Sequence, residues 1–124
     1  MMNGVELIAA ERDRQIDREG WTAEHDDQHK DGSLALAAVC YATPVQLFRM
    51  DGGCQFMQFR DPWPGAWQDG WDKRPFDHYN GKPINPTLEQ RLRMLAKAGA
   101  LIAAEIDRLQ RQTAMDKRTQ KAKA

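Results

Sequence analysis

Apolar residues recur near the start of the chain at intervals typical of an α-helix. In the stretch 3–19 the positions that share one face are Val5, Ile8, Ala9 and Ile16, while charged residues occupy most of the rest. Asn3 can cap this helix, and Gly20 stands where a left-handed residue often ends one. The pattern predicts an amphipathic first helix.

The last helix has the most regular pattern. Asn85 can cap it, with Pro86 in the favoured first position. Apolar residues and one glycine then alternate in steps of four and three: Leu88, Leu92, Leu95, Gly99, Ile102, Ile106 and Leu109. This heptad-type seam over 88–109 could pack within the domain or between chains. Because the seam is long beside so small a core, we predict a homodimer or a higher homo-oligomer.

The middle of the chain predicts less regular structure. Thr22 can cap a short turn of helix. A second full helix over 34–42 is apolar nearly all round, so it should be covered on all sides, by the other helices or by a second copy of the protein. Regular periodicity largely disappears over 43–85, although 55–59 could form a short strand. A loop of this length is usually a functional loop, a lid or partly disordered. The fold class predicted is mainly α: a small bundle of three main helices with a long aromatic, Pro/Gly-rich loop that could hold a short strand pair.

Length and composition indicate one domain. A chain of 124 residues suits a single helical domain over 1–113 with a loop insertion at about 43–85, and the basic stretch 114–124 is predicted to be a disordered tail. Basic and acidic residues balance at 18 each, so nucleic acid is not expected as a partner. We find no membrane-length apolar run, no secretion signal and no disulfide framework, which predicts a cytoplasmic protein that does not enter a membrane.

One cluster of residues suits chemistry. Between Glu24 and His29 stand three carboxylates and two imidazoles, side chains that suit magnesium, manganese or zinc. On a helical turn, Glu24 and Asp27 share a face, as do His25 and His29. The alternative is a charged cap that orders the turn before the second helix, with Asp26 or Asp27 accepting backbone amides.

Tryptophan is concentrated in the loop. Trp63, Trp67 and Trp71 are spaced by four, among prolines and glycines. Their faces could stack on a base or another flat ligand, although a cap that buries the rings against the helices is the favoured interpretation. The arginines of the first helix, which could grip phosphate, alternate with acids and are better explained as an ion-pair face.

Several of these segments carry a resemblance. The stretches Glu11-Arg12-Asp13-Arg14-Gln15-Ile16, Glu19-Gly20-Trp21-Thr22 and Glu24-His25-Asp26-Asp27 resemble small phage and prophage proteins without settled function. The likeness extends to 34–38 with Tyr41, to 97–102, and to Glu105-Ile106. It implies a phage-related context, with the host cytosol as the location if the protein is phage-encoded.

A more distant likeness is to the all-α, MazG-like nucleotide pyrophosphohydrolases. Those are helical oligomers that hold magnesium with E-x-x-E and E-x-x-D motifs. This chain has Glu24-x-x-Asp27 but no E-x-x-E, and Glu105 and Asp107 are two residues apart rather than three. The resemblance implies Mg²⁺ held by Glu24, Asp27 and Glu105.

These observations lead to three functional hypotheses. The first is a phage-type nucleotide-handling protein, in its enzymatic form a metal-dependent pyrophosphohydrolase. The second is a non-catalytic binder that sequesters a nucleotide-derived signal in phage–host conflict, and the third is an interaction module that docks on a host protein. No catalytic residue is assigned. The residues predicted to contact a nucleotide-like ligand are Arg14, Trp21, His25, Asp26, His29, Trp63, Trp67, Trp71 and Lys97.

Overall fold

The computed structural model describes residues 1–45, 47–52, 58–75 and 86–123.

The first helix begins and ends at capping residues. This helix, α1, spans Gly4–Glu19, and Asn3 and Glu6 form a reciprocal capping box, with the Asn3 side chain accepting from the Glu6 amide. Gly20 ends the helix in the left-handed region at φ 71°, a conformation that a side chain would disfavour. Both predicted ends are confirmed.

The face that α1 turns inward differs from the predicted apolar face. Val5 is 78% exposed and Ile16 36% exposed, whereas Gln15 is buried. Of the predicted face only Ile8 is half-buried, and it is packed over Gly99. The prediction was therefore wrong about which stripe is covered. The stripe that lies inside also carries Glu11 and Arg12, because oppositely charged partners on other segments meet them.

Two further helices follow. The short α2 spans Ala23–Asp26 and is capped by Thr22, whose hydroxyl accepts from the His25 amide. The helix α3 spans Ser33–Ala42 after Gly32, which has φ 82°. One side of α3 is fully covered, with Leu34 and Ala37 at 0% exposure. Val39 is 49% exposed, so the described residues of one chain do not cover this helix on all sides.

The loop contains the short strand pair that the sequence suggested. Strand β1, Arg49–Asp51, pairs antiparallel with β2, Gln58–Arg60, in the register Met50 opposite Phe59. The predicted strand began at residue 55, and residues 55–57 lie outside the described residues. One 3₁₀ turn, Asp69–Trp71, completes the described part of the loop.

The last helix, α4, spans Leu88–Lys123 and is the longest element. Thr87 caps it through reciprocal bonds with Gln90, so Pro86 precedes the helix instead of occupying its first turn. The predicted cap Asn85 lies outside the described residues. Positions 114–123, predicted to be disordered, continue the helix, because no glycine or proline interrupts this stretch of good helix formers.

The core lies where α4 packs against α1 and α3. It contains Trp21 and Trp67 together with small and aliphatic residues of α3 and α4: Leu34, Ala37, Ala38, Tyr41, Met94, Ala98, Leu101 and Ala104. Arg91 joins the end of α3 to α4 by donating to the Ala42 carbonyl at 2.7 Å. The mainly α class is thus confirmed. None of the described helices is both long and apolar enough to traverse a bilayer.

Candidate functional site

An aromatic cluster fills the space between α2 and the loop. We use this name for Trp21, His25, His29, Trp63, Trp67 and Trp71. Trp21 follows the left-handed residue Gly20, and its ring stacks on His25 with 5.1 Å between centroids. Trp67 and Trp71 meet Trp21 edge to face, each at 5.5 Å.

The loop is fastened over this cluster by an arginine and a tyrosine. Arg74, 6% exposed, bonds the Asp61 carboxylate at 2.7 Å and the Asp72 carboxylate at 2.8 Å, and its guanidinium lies 4.7 Å from the Trp63 ring centre. The Tyr41 hydroxyl accepts from the Lys73 amide at 2.9 Å. The Arg74 bonds join parts of the loop to one another, and the Tyr41 bond holds the loop against α3, so the loop is packed as a cap on the helices.

The tryptophans mainly serve packing. Trp21 is 5% and Trp67 6% exposed, while Trp63 and Trp71 are half-buried. Their contacts are edge to face, so each ring covers part of its neighbour. Stacking on a flat ligand needs an open ring face, and the two buried rings do not provide one. The structure supports the packing interpretation of these residues.

Asp26 connects the aromatic cluster to α1 through contacts with His25 and Arg12. Its side chain is fully buried and receives a bond of 2.7 Å from Arg12 Nη2. Its other carboxylate oxygen lies 3.2 Å from His25 Nδ1. Burial and the neighbouring His25 lower the pKa of His29, which favours its neutral ring at neutral pH.

A second feature is a cavity of about 330 Å³, here called the cationic cavity, between α1, the loop and α4. It holds two predicted ligand residues, Arg14 and Lys97, which lie outside the aromatic cluster. Its lining is rich in cations: Arg14, Glu19, Lys73, Pro75, Gln90, Arg93, Met94 and Lys97.

The charges in the cavity are only partly paired. Arg14 bonds Glu11 at 2.7 Å and Glu19 at 3.1 Å, as the ion-pair interpretation expects, and the bond to Glu11 raises the pKa of Arg14. Burial lowers the pKa of Lys97, whose Nζ is 3.8 Å from Glu11. Burial alone would raise the pKa of Glu11, but the bond from Arg14 and the charge of Lys97 bring it below its usual value. Among the described residues, four cationic side chains thus face two carboxylates.

The three predicted metal ligands are separated. Glu24 is exposed, Asp27 accepts from Arg111 at 2.8 Å, and Glu105 accepts from Arg108 at 2.6 Å. Across the ranges that the structure describes, no three His, Cys, Asp or Glu side chains form a group that could hold a metal. With guanidinium groups on two of the carboxylates, these residues do not fit a magnesium site.

The turn after α2 and the last helix do meet around a hollow. A cavity of about 400 Å³ lies between them, and its lining mixes both signs of charge: Asp27, Gln28, Lys30, Arg108, Arg111, Gln112, Met115 and Asp116. Arg111 is the side chain that joins these two segments, because it donates to the Asp27 carboxylate and to the Ala23 carbonyl.

Six residues that line the cationic cavity were not predicted from the sequence, among them Gln90, Arg93 and Lys73. Gln90 and Arg93 precede Lys97 by seven and four residues, a helical spacing that shares one face, so their signal was available. Lys73 had no such signal, because its position depends on how the loop folds back onto α3.

Comparisons with family models, with curated proteins and with solved structures gave no match. The likeness to phage proteins and to MazG-like enzymes therefore stays a prediction.

Proposed function

We propose that this protein binds a phosphate-bearing small molecule of the nucleotide class in the cationic cavity and does not turn it over. The observation that carries the proposal is the convergence of Arg14, Arg93 and Lys97 on one hollow. Guanidinium and ammonium groups are the side chains that hold phosphate oxygens most strongly. The volume falls at the lower end of the range of small-molecule sites.

Lys97 gives the strongest support. The residue is 9% exposed, and its Nζ lies 3.8 Å from the Glu11 carboxylate, beyond the roughly 2.7–2.9 Å of a charge-assisted hydrogen bond. A phosphate oxygen in the cavity would accept a closer, charge-assisted hydrogen bond from Lys97. The apolar contacts of Pro75 and Met94 with the same space would pack against the organic part of the ligand.

The hydrogen bonds of Asp27 and Glu105 favour binding without turnover over hydrolysis. Phosphoryl chemistry of the MazG-like kind uses carboxylates to hold magnesium. Here Asp27 and Glu105 accept hydrogen bonds from arginines instead. The phage context and the cytosolic location remain predictions from the sequence.

The test is calorimetric titration of the full chain with pyrophosphate, ATP and a cyclic nucleotide. We expect Arg93→Gln and Lys97→Met each to weaken binding by about ten- to a hundredfold, the effect of losing one charge-assisted hydrogen bond. Arg118→Gln, an exposed cation further along α4, is the matched control and should change nothing. Absence of binding, or equal binding by all variants, would contradict the proposal.

The same samples separate binding from catalysis. Each nucleotide is incubated with protein and Mg²⁺ or Mn²⁺, and pyrophosphate release is measured. We expect none. Sustained release by the wild-type chain that Asp27→Asn abolishes would favour the enzymatic hypothesis instead.

We further propose that the chain forms a homodimer through the outer face of α4. That face is the apolar part of the predicted seam, and every side chain in it is exposed by 42–78%: Leu88, Leu92, Leu95, Ile102, Ile106 and Leu109. Six aliphatic side chains exposed to this degree present on the order of 500 Å², a large patch for a monomer and more than half of one partner's share of a standard interface. Val5, also exposed, is a further apolar residue on the neighbouring α1.

Oligomeric state tests this assembly. Light scattering should give a dimer for the wild-type chain and a monomer of unchanged helicity for Leu95→Asp and Ile102→Asp. Met115→Asp, which alters an exposed apolar residue of α4 outside the seam, should remain dimeric. A wild-type chain that stays monomeric at high concentration would contradict self-association and favour docking on a different protein.

A further inference from the structure

Two imidazoles of the aromatic cluster face one another. His25 lies in α2, and His29 follows it by four residues, one helical turn later. Their Nε2 atoms are 3.5 Å apart. A hydrogen bond between them would be at the long limit of useful geometry, so neither nitrogen is strongly satisfied by the other.

The Nδ1 atom of His25, which faces away from His29, has the kind of partner that supports a metal-bound histidine. This Nδ1 is 3.2 Å from Asp26, and that carboxylate, fully buried and bonded by Arg12, can only accept a hydrogen bond while ionised. In the neutral tautomer whose Nδ1–H donates to this carboxylate, Nε2 carries the lone pair. A carboxylate behind an imidazole is the usual support of a metal-bound histidine.

The surrounding rings restrict both histidines. His25 is stacked on Trp21 at 5.1 Å, and His29 contacts Trp67 at 5.4 Å and Trp71 at 6.1 Å. Rings held by such neighbours lose little further freedom when they bind an ion.

We propose that the Nε2 atoms of His25 and His29 together bind a first-row transition-metal ion that prefers imidazole, with Zn²⁺ as the reference ion. Zinc–nitrogen bonds of about 2.0–2.1 Å in tetrahedral geometry separate two ligand nitrogens by about 3.4 Å, close to the spacing present here. This site is distinct from the magnesium site that the resemblance implied, because it uses nitrogen rather than carboxylate oxygen.

The proposed site has an open coordination sphere. Within the described ranges no third His, Cys, Asp or Glu joins the pair, so water or an external ligand would complete the coordination. We therefore expect weaker binding than at a closed structural zinc site with four protein ligands.

Tryptophan fluorescence provides the readout, because three indoles contact the two imidazoles. The full chain, without a polyhistidine tag and treated with chelator, is titrated with Cu²⁺ and Ni²⁺, which quench, and with Zn²⁺ in competition. We expect one ion per chain, no response to Mg²⁺, and the tightest binding for Cu²⁺. His29→Gln should weaken binding at least tenfold, whereas His78→Gln, which alters the chain's one remaining histidine, should leave it unchanged.

A second measurement does not depend on a variant folding. Nitrogen-15 spectra of the imidazole side chains of the wild-type protein should show Zn²⁺ shifting the Nε2 signals of His25 and His29 while Nδ1 of His25 stays protonated. Signals that do not move in saturating Zn²⁺, or metal binding that survives His29→Gln, would overturn the proposal.

Discussion

The two faces of α4 differ in composition and in burial, and the more apolar face is the less buried one. The outer face presents six large aliphatic residues, and none of them is buried. The inner face packs on the core through Met94, Ala98 and Leu101, yet it also buries Lys97 and Arg108. On this helix the more apolar stripe is the uncovered one.

The difference shows that an apolar stripe marks a surface that needs cover without saying what covers it. The inner face tolerates its charges because each finds a partner: Arg108 bonds Glu105 at 2.6 Å, and Lys97 lies near Glu11 and the Tyr41 ring. The outer face is only partly covered by the described parts of its own chain, where Ile8 packs over Gly99, so we propose a second copy as the cover for the rest.

Truncating one leucine on each face should break the comparison most clearly. Leu101 is 1% exposed, so Leu101→Ala should lower the protein's free energy of unfolding by about 2–5 kcal/mol. Leu95→Ala should cost less than about 1 kcal/mol when measured by urea unfolding under monomeric conditions. Equal losses at both positions would show that the outer face is also buried within the chain.

The boundary between the faces can be tested at Gly99. A Cβ there would lie 2.5 Å from Ile8 Cδ1 and 2.6 Å from its Cγ1, so Gly99→Leu should overpack the α1–α4 contact and cost about 1–3 kcal/mol. Combining it with Ile8→Ala should recover part of the loss, because the two side chains compete for one space. Strictly additive costs in thermal unfolding would contradict this contact.

The smallest effect concerns the buried charges. The pKa of Glu11 is lowered in the fold, so its ion pairs contribute stability above the unfolded value of about 4.3, and that stability is lost as the pH falls through the folded pKa. Glu11→Gln should therefore reduce stability by up to about 1 kcal/mol at pH 7 and converge with wild type in acid. Asp17→Asn, at an exposed position of α1, gives the control curve. A constant offset at every pH would contradict a role for the charge.

Much of the local structure could be predicted from the sequence. Asn3, Gly20 and Thr22 act at the helix ends where their chemistry predicts, because capping depends only on residues within one turn. The start of α4 was placed early, because Pro86 suits a first turn but Thr87 can form a reciprocal capping pair with Gln90.

The candidate site was predicted only in part. Residues between Trp21 and His29 are close in sequence, so their cluster was foreseen. The tryptophans of the loop join it in space, whereas Arg14 and Lys97 lie in a different hollow with Arg93. Glu24, Asp27 and Glu105 do not form one group, because nearby arginines engage two of them.

The sequence by itself determined the helical class and most of the helix ends, since propensity and capping act over a few residues. Only the tertiary structure decided which face of each helix is covered and which charges are paired. Burial is a relation between distant segments, and a helix period shows an apolar stripe without showing its neighbour. The same reason explains why polar residues such as Gln15 and Asp26 lie inside while Val5 and Leu92 remain outside.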